Sequence, residues 1–155
     1  MAKKAGKTLA MRILDSKKIA YEIFTFAPDI HSATGVAEAL NLPPTKVYKT
    51  LVVTRSPGKP LLVMAPADQE LDLKHLARAV NEKKLGMAAH HEAEKLTGLR
   101  VGGISALALL NKGFQICILR QARDLEQIVI SAGKRGINLR LPVKALIEIT
   151  GARFV

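Results

Sequence analysis

The sequence has few of the residues that build disulfide frameworks and no segment that would cross a membrane. Its 155 residues include one cysteine, Cys117, and no tryptophan. A single cysteine excludes an intramolecular disulfide, and its apolar neighbours indicate a small buried hydrophobic residue. No apolar run reaches the roughly 20 residues that a membrane-spanning helix needs. Because no apolar segment follows the basic N-terminal residues, a secretory signal is not indicated, and we expect a cytoplasmic protein.

Acidic residues are also scarce. The chain has 13 Asp and Glu against 24 Lys and Arg, which gives a net charge of +11. An excess of this size on a small domain favours a polyanionic partner, and nucleic acid is the obvious candidate because phosphate contacts supply affinity without sequence information. The alternative is a basic surface that is merely solvated. Since 48% of the residues are hydrophobic, we expect one folded domain over 1–155, with the first few residues flexible.

The signatures of several common enzyme classes are missing. The histidines His31, His75, His90 and His91 do not have the spacing of a zinc site, and neither a CxxC nor an HExxH pattern occurs. There is no GxSxG nucleophile motif. The glycines near residue 100 lack the Lys-Ser/Thr of a phosphate-binding loop, and no GxGxxG fingerprint is present. We therefore expect no metal and no cofactor.

Residues 47–54 form the most informative stretch of the chain. Their β-branched side chains predict a strand. Successive strand side chains point to opposite faces, so Lys49 shares a face with the apolar residues Val47, Leu51 and Val53. An isolated buried ammonium is costly unless an anion meets it, which would favour a binding site. The alternative is that Lys49 lies near the strand start and extends its ammonium to water.

The rest of the pattern predicts a mixed α/β chain of about seven short strands and four or five helices. Turn residues at 55–60 predict a hairpin between strands 47–54 and 61–65, and a tight turn at 133–136 predicts a second hairpin. Thr8, Thr34 and Asp72 are the predicted N-caps of helices. Hairpins require antiparallel pairing, while the connecting helices allow parallel pairing as well.

Two further features have the composition of a binding site. The adjacent glycines Gly102 and Gly103 permit a close backbone approach, and their N–H groups would be able to hold a carbonyl or a developing oxyanion. The alternative is an ordinary flexible connection. Lys134 and Arg135, on the second hairpin, are candidates for phosphate binding, and the alternative for them is a solvated turn.

Together and in this order, these motifs resemble the YbaK/ProX family. That family comprises free-standing relatives of the editing domain inserted in bacterial prolyl-tRNA synthetase. The resemblance rests on residues 47–52, 102–105 and 130–136 and on the closing helix that begins at Pro142. It implies a mixed α/β fold around a curved, barrel-like sheet of about six to eight strands with peripheral helices. It also implies hydrolysis of wrongly charged aminoacyl-tRNA in trans, most typically Cys-tRNA(Pro).

The resemblance also implies roles for particular residues. The family's lysine and neighbouring threonine correspond to Lys49 and Thr50, and its substrate-gripping loop to Gly102 and Gly103. Further substrate contacts are expected from Tyr21, Ser105, Ser131 and Asn138. The implied partners are aminoacyl-tRNA and prolyl-tRNA synthetase.

Three positions depart from the family pattern. Ala106 stands where a proline is usual, and Ala108 where a further glycine often occurs, so we expect a less rigid loop. Asn138 stands where an aspartate often occurs, and an amide cannot carry that negative charge.

Three functions remain open at this point. The first is ester hydrolysis, with Lys49 pairing with a phosphate of the terminal adenosine or with charge developing at the ester. The glycine N–H groups would hold the carbonyl, and water or the substrate's own thiol would attack. The second is an RNA-binding or adaptor domain without catalysis, and the third is an unrelated small-molecule hydrolase.

Overall fold

The computed structural model describes residues 6–155. The flexibility expected for the first few residues concerns positions that lie outside this range. Within it, the helices are α1 (Leu9–Ser16), α2 (Ala33–Ala39), α3 (Leu73–Ala79), α4 (His90–Thr97) and α5 (Val143–Thr150). The strands are β1 (Glu22–Thr25), β2 (Tyr48–Thr54), β3 (Leu61–Pro66), β4 (Gly86–Met87), β5 (Gln115–Ile118), β6 (Gln127–Lys134), β7 (Ile137–Pro142) and β8 (Arg153–Phe154). Two 3-10 helices span Ala106–Lys112 and Arg120–Asp124.

The strands form two sheets, one of five strands in the order β4-β2-β3-β5-β8 and one of three in the order β1-β7-β6. Both predicted hairpins are present, with β2 antiparallel to β3 and β6 antiparallel to β7. The pairing of β3 with β5 is parallel, as is that of β5 with β8. The expected mixture of pairing modes is therefore confirmed, and the fold is a mixed α+β fold.

The expectation of a single barrel-like sheet is wrong. The two sheets meet at one isolated parallel bridge, between Val47 and Val129, where the Val129 N–H donates to the carbonyl oxygen of Lys46 at 3.0 Å. Further along, the same edge of β2 pairs with β4 at Val53 and Thr54. Because β4 occupies that part of the edge, only the start of β2 is left to meet β6, and the sheet does not close.

The helix caps follow local side-chain chemistry. Thr8 accepts a hydrogen bond from the Met11 N–H at 3.3 Å, and Asp72 accepts one from the His75 N–H at 3.0 Å, as predicted. The predicted cap at Thr34 is wrong, because Ser32 caps α2 by accepting from the Gly35 N–H at 3.1 Å. Ser32 has an extended backbone, and its side-chain oxygen satisfies a free N–H group of the first helical turn. The helix therefore begins at Ala33, before the position at which Thr34 would act as a cap.

The five-stranded sheet carries apolar side chains on both faces. On one face, Tyr48, Val52, Leu62 and Met64 join a core shared with α1 and the three-stranded sheet. On the other, Val53, Leu61, Val63 and Ala65 pack with residues of α3. Cys117 belongs to this second cluster, and burial raises the pKa of its thiol, consistent with a small core residue. Within residues 6–155, no helix has the length and apolar content to span a bilayer.

Candidate active site

A cavity of about 700 Å³ opens where four segments meet. These are the start of β2, the residues just before α2, the β6–β7 hairpin and the loop that carries Gly102 and Gly103, which we call the glycine loop. Five residues predicted from the sequence line it, namely Lys49, Thr50, Gly102, Ser131 and Asn138. They come from four separate segments of the chain. The fold therefore brings Lys49 of β2, Gly102 and the β6–β7 hairpin to one cavity. A few polar groups that converge on one cavity are typical of a binding site.

Lys49 is half-buried in the cavity wall. Its Nζ donates to the carbonyl oxygen of Ala67 at 3.2 Å, and Ala67 follows directly after β3. An ammonium has three donor hydrogens, so two remain for a ligand. No carboxylate in residues 6–155 forms an ion pair with it. The side chain is thus tethered by a neutral carbonyl and presents an uncompensated positive charge beside the cavity.

The two glycines of the loop have different surroundings. Gly102 has φ +92°, a conformation that side-chain-bearing residues seldom adopt, and it lines the cavity with Lys49. Its N–H makes no hydrogen bond within the described residues. The Gly103 N–H, by contrast, donates to the carbonyl oxygen of Arg100 at 2.8 Å. Of this pair, Gly102 is therefore the residue whose donor is free for a ligand.

Gly103 is required for a close backbone approach. A Cβ at this position would lie 2.9 Å from the Arg135 nitrogen and 3.0 Å from the Lys134 carbonyl carbon. Both are backbone atoms that cannot rotate away, and the 2.9 Å distance is shorter than real Cβ contacts in proteins. Gly103 thus lets the loop rest directly on the β6–β7 hairpin, and the contact fixes where Gly102 stands relative to that hairpin.

Ser131 and Asn138 are cross-strand partners on β6 and β7. Directly paired antiparallel residues place their side chains on the same face, and both line the cavity. The Ser131 Oγ accepts a hydrogen bond from the Gly133 N–H at 3.2 Å, next to an irregularity in the register between 131 and 134. Asn138 is buried, so the amide presents donor and acceptor groups from a fixed position.

The structure places the other predicted residues elsewhere. The Tyr21 hydroxyl donates to Asp15 at 3.0 Å, and Tyr21 is not among the residues that line the cavity. Ser105 is fully buried in the core, and its hydroxyl has no hydrogen-bond partner in the described part of the chain. Lys134 and Arg135 line a second cavity, which they share with Gly103.

Sequence reasoning missed the segment that leads into α2. His31, Ser32 and Thr34 all line the cavity, and so do His90 and the half-exposed Met87. The available signal was the pair of polar residues His31 and Ser32 between Ile30 and α2, which composition alone marks as a loop, whereas Thr34 lies in the first turn of the helix. Loops positioned by a rigid scaffold are where binding residues concentrate, but the sequence does not show which loops converge.

Tyr48 lies beside Lys49, and its hydroxyl is buried without a hydrogen-bond partner among residues 6–155. Burial, reinforced by the negative charge of Asp124, raises the pKa of the phenol to about 12. The folded state therefore favours the neutral phenol. Its contribution to stability is complete below the ordinary tyrosine pKa of about 10 and is lost as the pH rises towards 12.

As the pH rises above about 10, we expect the free energy of unfolding to fall less in the Tyr48→Phe variant than in the wild type. The substitution removes the group that must ionise and leaves no partner unpaired. Denaturant unfolding of both proteins at several pH values between about 9 and 12 checks this. Equal losses of stability in the two proteins would show that Tyr48 does not couple folding to pH.

The arrangement suits a reaction in which negative charge develops on a bound oxygen. One half-buried cation, one free backbone N–H, a hydroxyl and a buried amide face a common space. Such groups position a substrate and stabilise an oxyanion without a protein nucleophile. Among residues 6–155, no group of three or more His, Cys, Asp or Glu side chains is placed to hold a metal ion.

Comparison with known proteins identifies similar chains. The sequence model of the family described as "Aminoacyl-tRNA editing domain" matches residues 27–149, a range that contains the whole lining of the cavity. A protein of Enterococcus faecalis named "Putative Cys-tRNA(Pro)/Cys-tRNA(Cys) deacylase EbsC" is 37% identical over 158 residues. That alignment covers 99% of this chain and 96% of the relative.

Two further similarities concern prolyl-tRNA synthesis. The proline–tRNA ligase of Acidithiobacillus ferrooxidans is 31% identical over 112 residues, which cover 72% of this chain and 19% of the ligase. A crystal structure described as "a putative trans-editing enzyme for prolyl tRNA synthetase" superimposes with a TM-score of 0.80 at 21% identity, covering 97% of each chain. The latter likeness shows a shared fold.

Proposed function

The chain belongs to the family of aminoacyl-tRNA editing domains, and from that membership we propose that it deacylates wrongly charged aminoacyl-tRNA in trans. The reaction is ester hydrolysis. Water attacks the ester carbonyl carbon, the bond to the terminal ribose oxygen breaks, and the products are the free amino acid and an uncharged tRNA. The proton released by water ends on the ribose oxygen.

One observation carries this proposal, namely that Lys49 presents an uncompensated ammonium to the cavity that Gly102, Ser131 and Asn138 also line. Lys49 attracts the anionic end of the substrate or the charge that develops at the ester. The Gly102 N–H donates to the carbonyl oxygen, and the paired Ser131 and Asn138 orient the amino-acid portion. Rate enhancement then comes from position and electrostatics.

Cys-tRNA(Pro) is the substrate we propose first. An alignment that covers nearly all of both chains links this protein to a relative whose name gives Cys-tRNA(Pro) and Cys-tRNA(Cys) as substrates. With a cysteinyl ester, the substrate's own thiol is a second candidate nucleophile. Its sulfur would bond to the carbonyl carbon, the ribose oxygen would leave with the proton, and a cyclic thioester would form. The proposed location is the cytoplasm, and the proposed partners are aminoacyl-tRNA and prolyl-tRNA synthetase.

The proposal is tested by measuring release of radiolabelled amino acid from a panel of esters. The panel contains Cys-tRNA(Pro), Ala-tRNA(Pro), Pro-tRNA(Pro), Cys-tRNA(Cys) and a simple cysteine ethyl ester. We expect turnover of a wrongly charged tRNA and sparing of Pro-tRNA(Pro). Binding without turnover would indicate an RNA-binding or adaptor domain instead, and turnover of the ethyl ester alone would indicate a small-molecule hydrolase.

A further inference from the structure

A second cavity, of about 740 Å³, adjoins the first along the glycine loop. Gly102 lines the first cavity, Gly103 lines the second, and His31 lines both. The two spaces are therefore neighbours separated by a single step of backbone. We call the second space the basic cavity. Its wall combines residues 98–100 and Gly103 with residues 133–135 and with Pro28, Asp29 and His31.

The charge of the basic cavity is predominantly positive. Arg100, Lys134 and Arg135 line it, against one acidic residue, Asp29. None of the three cations forms an ion pair with another residue of the 6–155 range. Three cations that converge on a concave surface and outnumber its one acidic residue are the electrostatic footprint of a phosphate-binding site.

The wall of the basic cavity is also held in place. The Arg135 Nε donates to the carbonyl oxygen of Val101 at 2.7 Å, which links the hairpin to the glycine loop. The close approach of Gly103 to the hairpin backbone reinforces this link. Arg135 is half-buried, whereas Arg100 and Lys134 are exposed. One cation is thus fixed by the same contacts that shape the first cavity, and the other two flank it at the rim.

A charged tRNA matches this pair of cavities by its covalent structure. The amino acid is esterified to the terminal ribose, and the same ribose continues through a phosphodiester into the preceding nucleotide. A ribose held beside Lys49 therefore directs its phosphates to an adjoining surface. Phosphate contacts of this kind fix the register of a nucleic acid without reading its sequence.

We propose that the basic cavity binds the phosphodiester backbone of the last nucleotides of the tRNA, while the first cavity holds the aminoacyl ester. This inference rests on the proposed function and divides binding of the tRNA substrate between two neighbouring cavities. It assigns phosphate recognition to Arg100, Lys134 and Arg135 and leaves Lys49 for the ester. It also predicts that the domain binds tRNA esters more tightly than free aminoacyl esters.

The test is the double variant Arg100→Ala/Lys134→Ala, assayed on Cys-tRNA(Pro) and on 3′-cysteinyl-adenosine without phosphates. Neither side chain donates a hydrogen bond within the described residues, so the fold should persist. We expect KM for the tRNA to rise roughly tenfold or more, with kcat changed less than about twofold. The salt dependence of KM should weaken, and hydrolysis of the phosphate-free ester should be unchanged.

Lys144→Ala is the matched control, because Lys144 is an exposed cation on α5 that lines neither cavity. It should leave all these parameters at the wild-type values. An unchanged KM and salt dependence in the double variant would overturn the inference, and so would an equal loss on both substrates. If the wild type hydrolyses neither ester, the proposed function itself fails, and that result is distinct from failure of the basic cavity alone.

Discussion

Replacing Lys49 with alanine should lower the rate of Cys-tRNA(Pro) deacylation by about 100-fold or more without unfolding the protein. The ammonium is the cation that faces the cavity shared with Gly102, and a preorganised donor of this kind typically contributes 10² to 10³ in rate. Its one hydrogen bond within the described residues goes to the Ala67 carbonyl, so its loss removes little from the fold. Single-turnover hydrolysis and the melting temperature measure the two effects separately.

Two variants make this experiment specific to charge. Lys49→Met keeps an unbranched chain of similar length against the apolar wall, so it should lose as much activity as the alanine variant. Lys46→Ala removes an exposed lysine that lies three residues earlier and does not line the cavity. It should retain nearly full activity. Wild-type rates in Lys49→Met would show that the ammonium has no part in the reaction.

Gly103→Ala should reduce deacylation by about 100-fold and also destabilise the domain. The added Cβ would meet the backbone of residues 134 and 135 at 2.9 to 3.2 Å, so the loop must move away from the hairpin. Overpacking of this kind costs about 1–3 kcal/mol. A shift of about 1 Å in a positioning group is enough to cost roughly 100-fold in rate, and Gly102 would shift with the loop. Denaturant unfolding and single-turnover hydrolysis check both parts.

Gly151→Ala separates stability from activity. Gly151 ends α5 with φ +66°, and a Cβ there would meet no atom within 4 Å. The variant should lose about 1–2 kcal/mol from the strained backbone conformation, yet hydrolyse the ester at the wild-type rate. If Gly103→Ala behaved like Gly151→Ala, with reduced stability and full activity, the loop contact would not be needed for catalysis.

Much of the fold follows from short-range patterns in the sequence. Alternation in 47–54 predicts β2 and places Val53 and Val52 on opposite faces, as observed. The turn at 55–60 predicts the hairpin with β3. The capping oxygens of Thr8 and Asp72 bond the donors expected for them. These features depend on neighbours a few residues away, so local chemistry is enough to define them.

The parts that could not be predicted depend on distant contacts. The pairing of β4 with β2 decides how much of the β2 edge is left to meet β6, and here only one bridge forms. No local sequence pattern encodes the position at which β4 pairs. Sequence reasoning assigns Gly102 and Gly103 the same role, whereas their N–H groups differ because only the Gly103 N–H donates to the Arg100 carbonyl oxygen. The convergence of His31 with the glycine loop likewise appears only in three dimensions.

The most direct measurement is a crystal structure of the protein with 3′-cysteinylamido-adenosine, in which an amide replaces the ester and resists hydrolysis. We predict that its carbonyl oxygen accepts a hydrogen bond from the Gly102 N–H, with the Lys49 ammonium at the same end of the ligand. Density for the ligand at any other surface, with Lys49 and Gly102 unengaged, would contradict it.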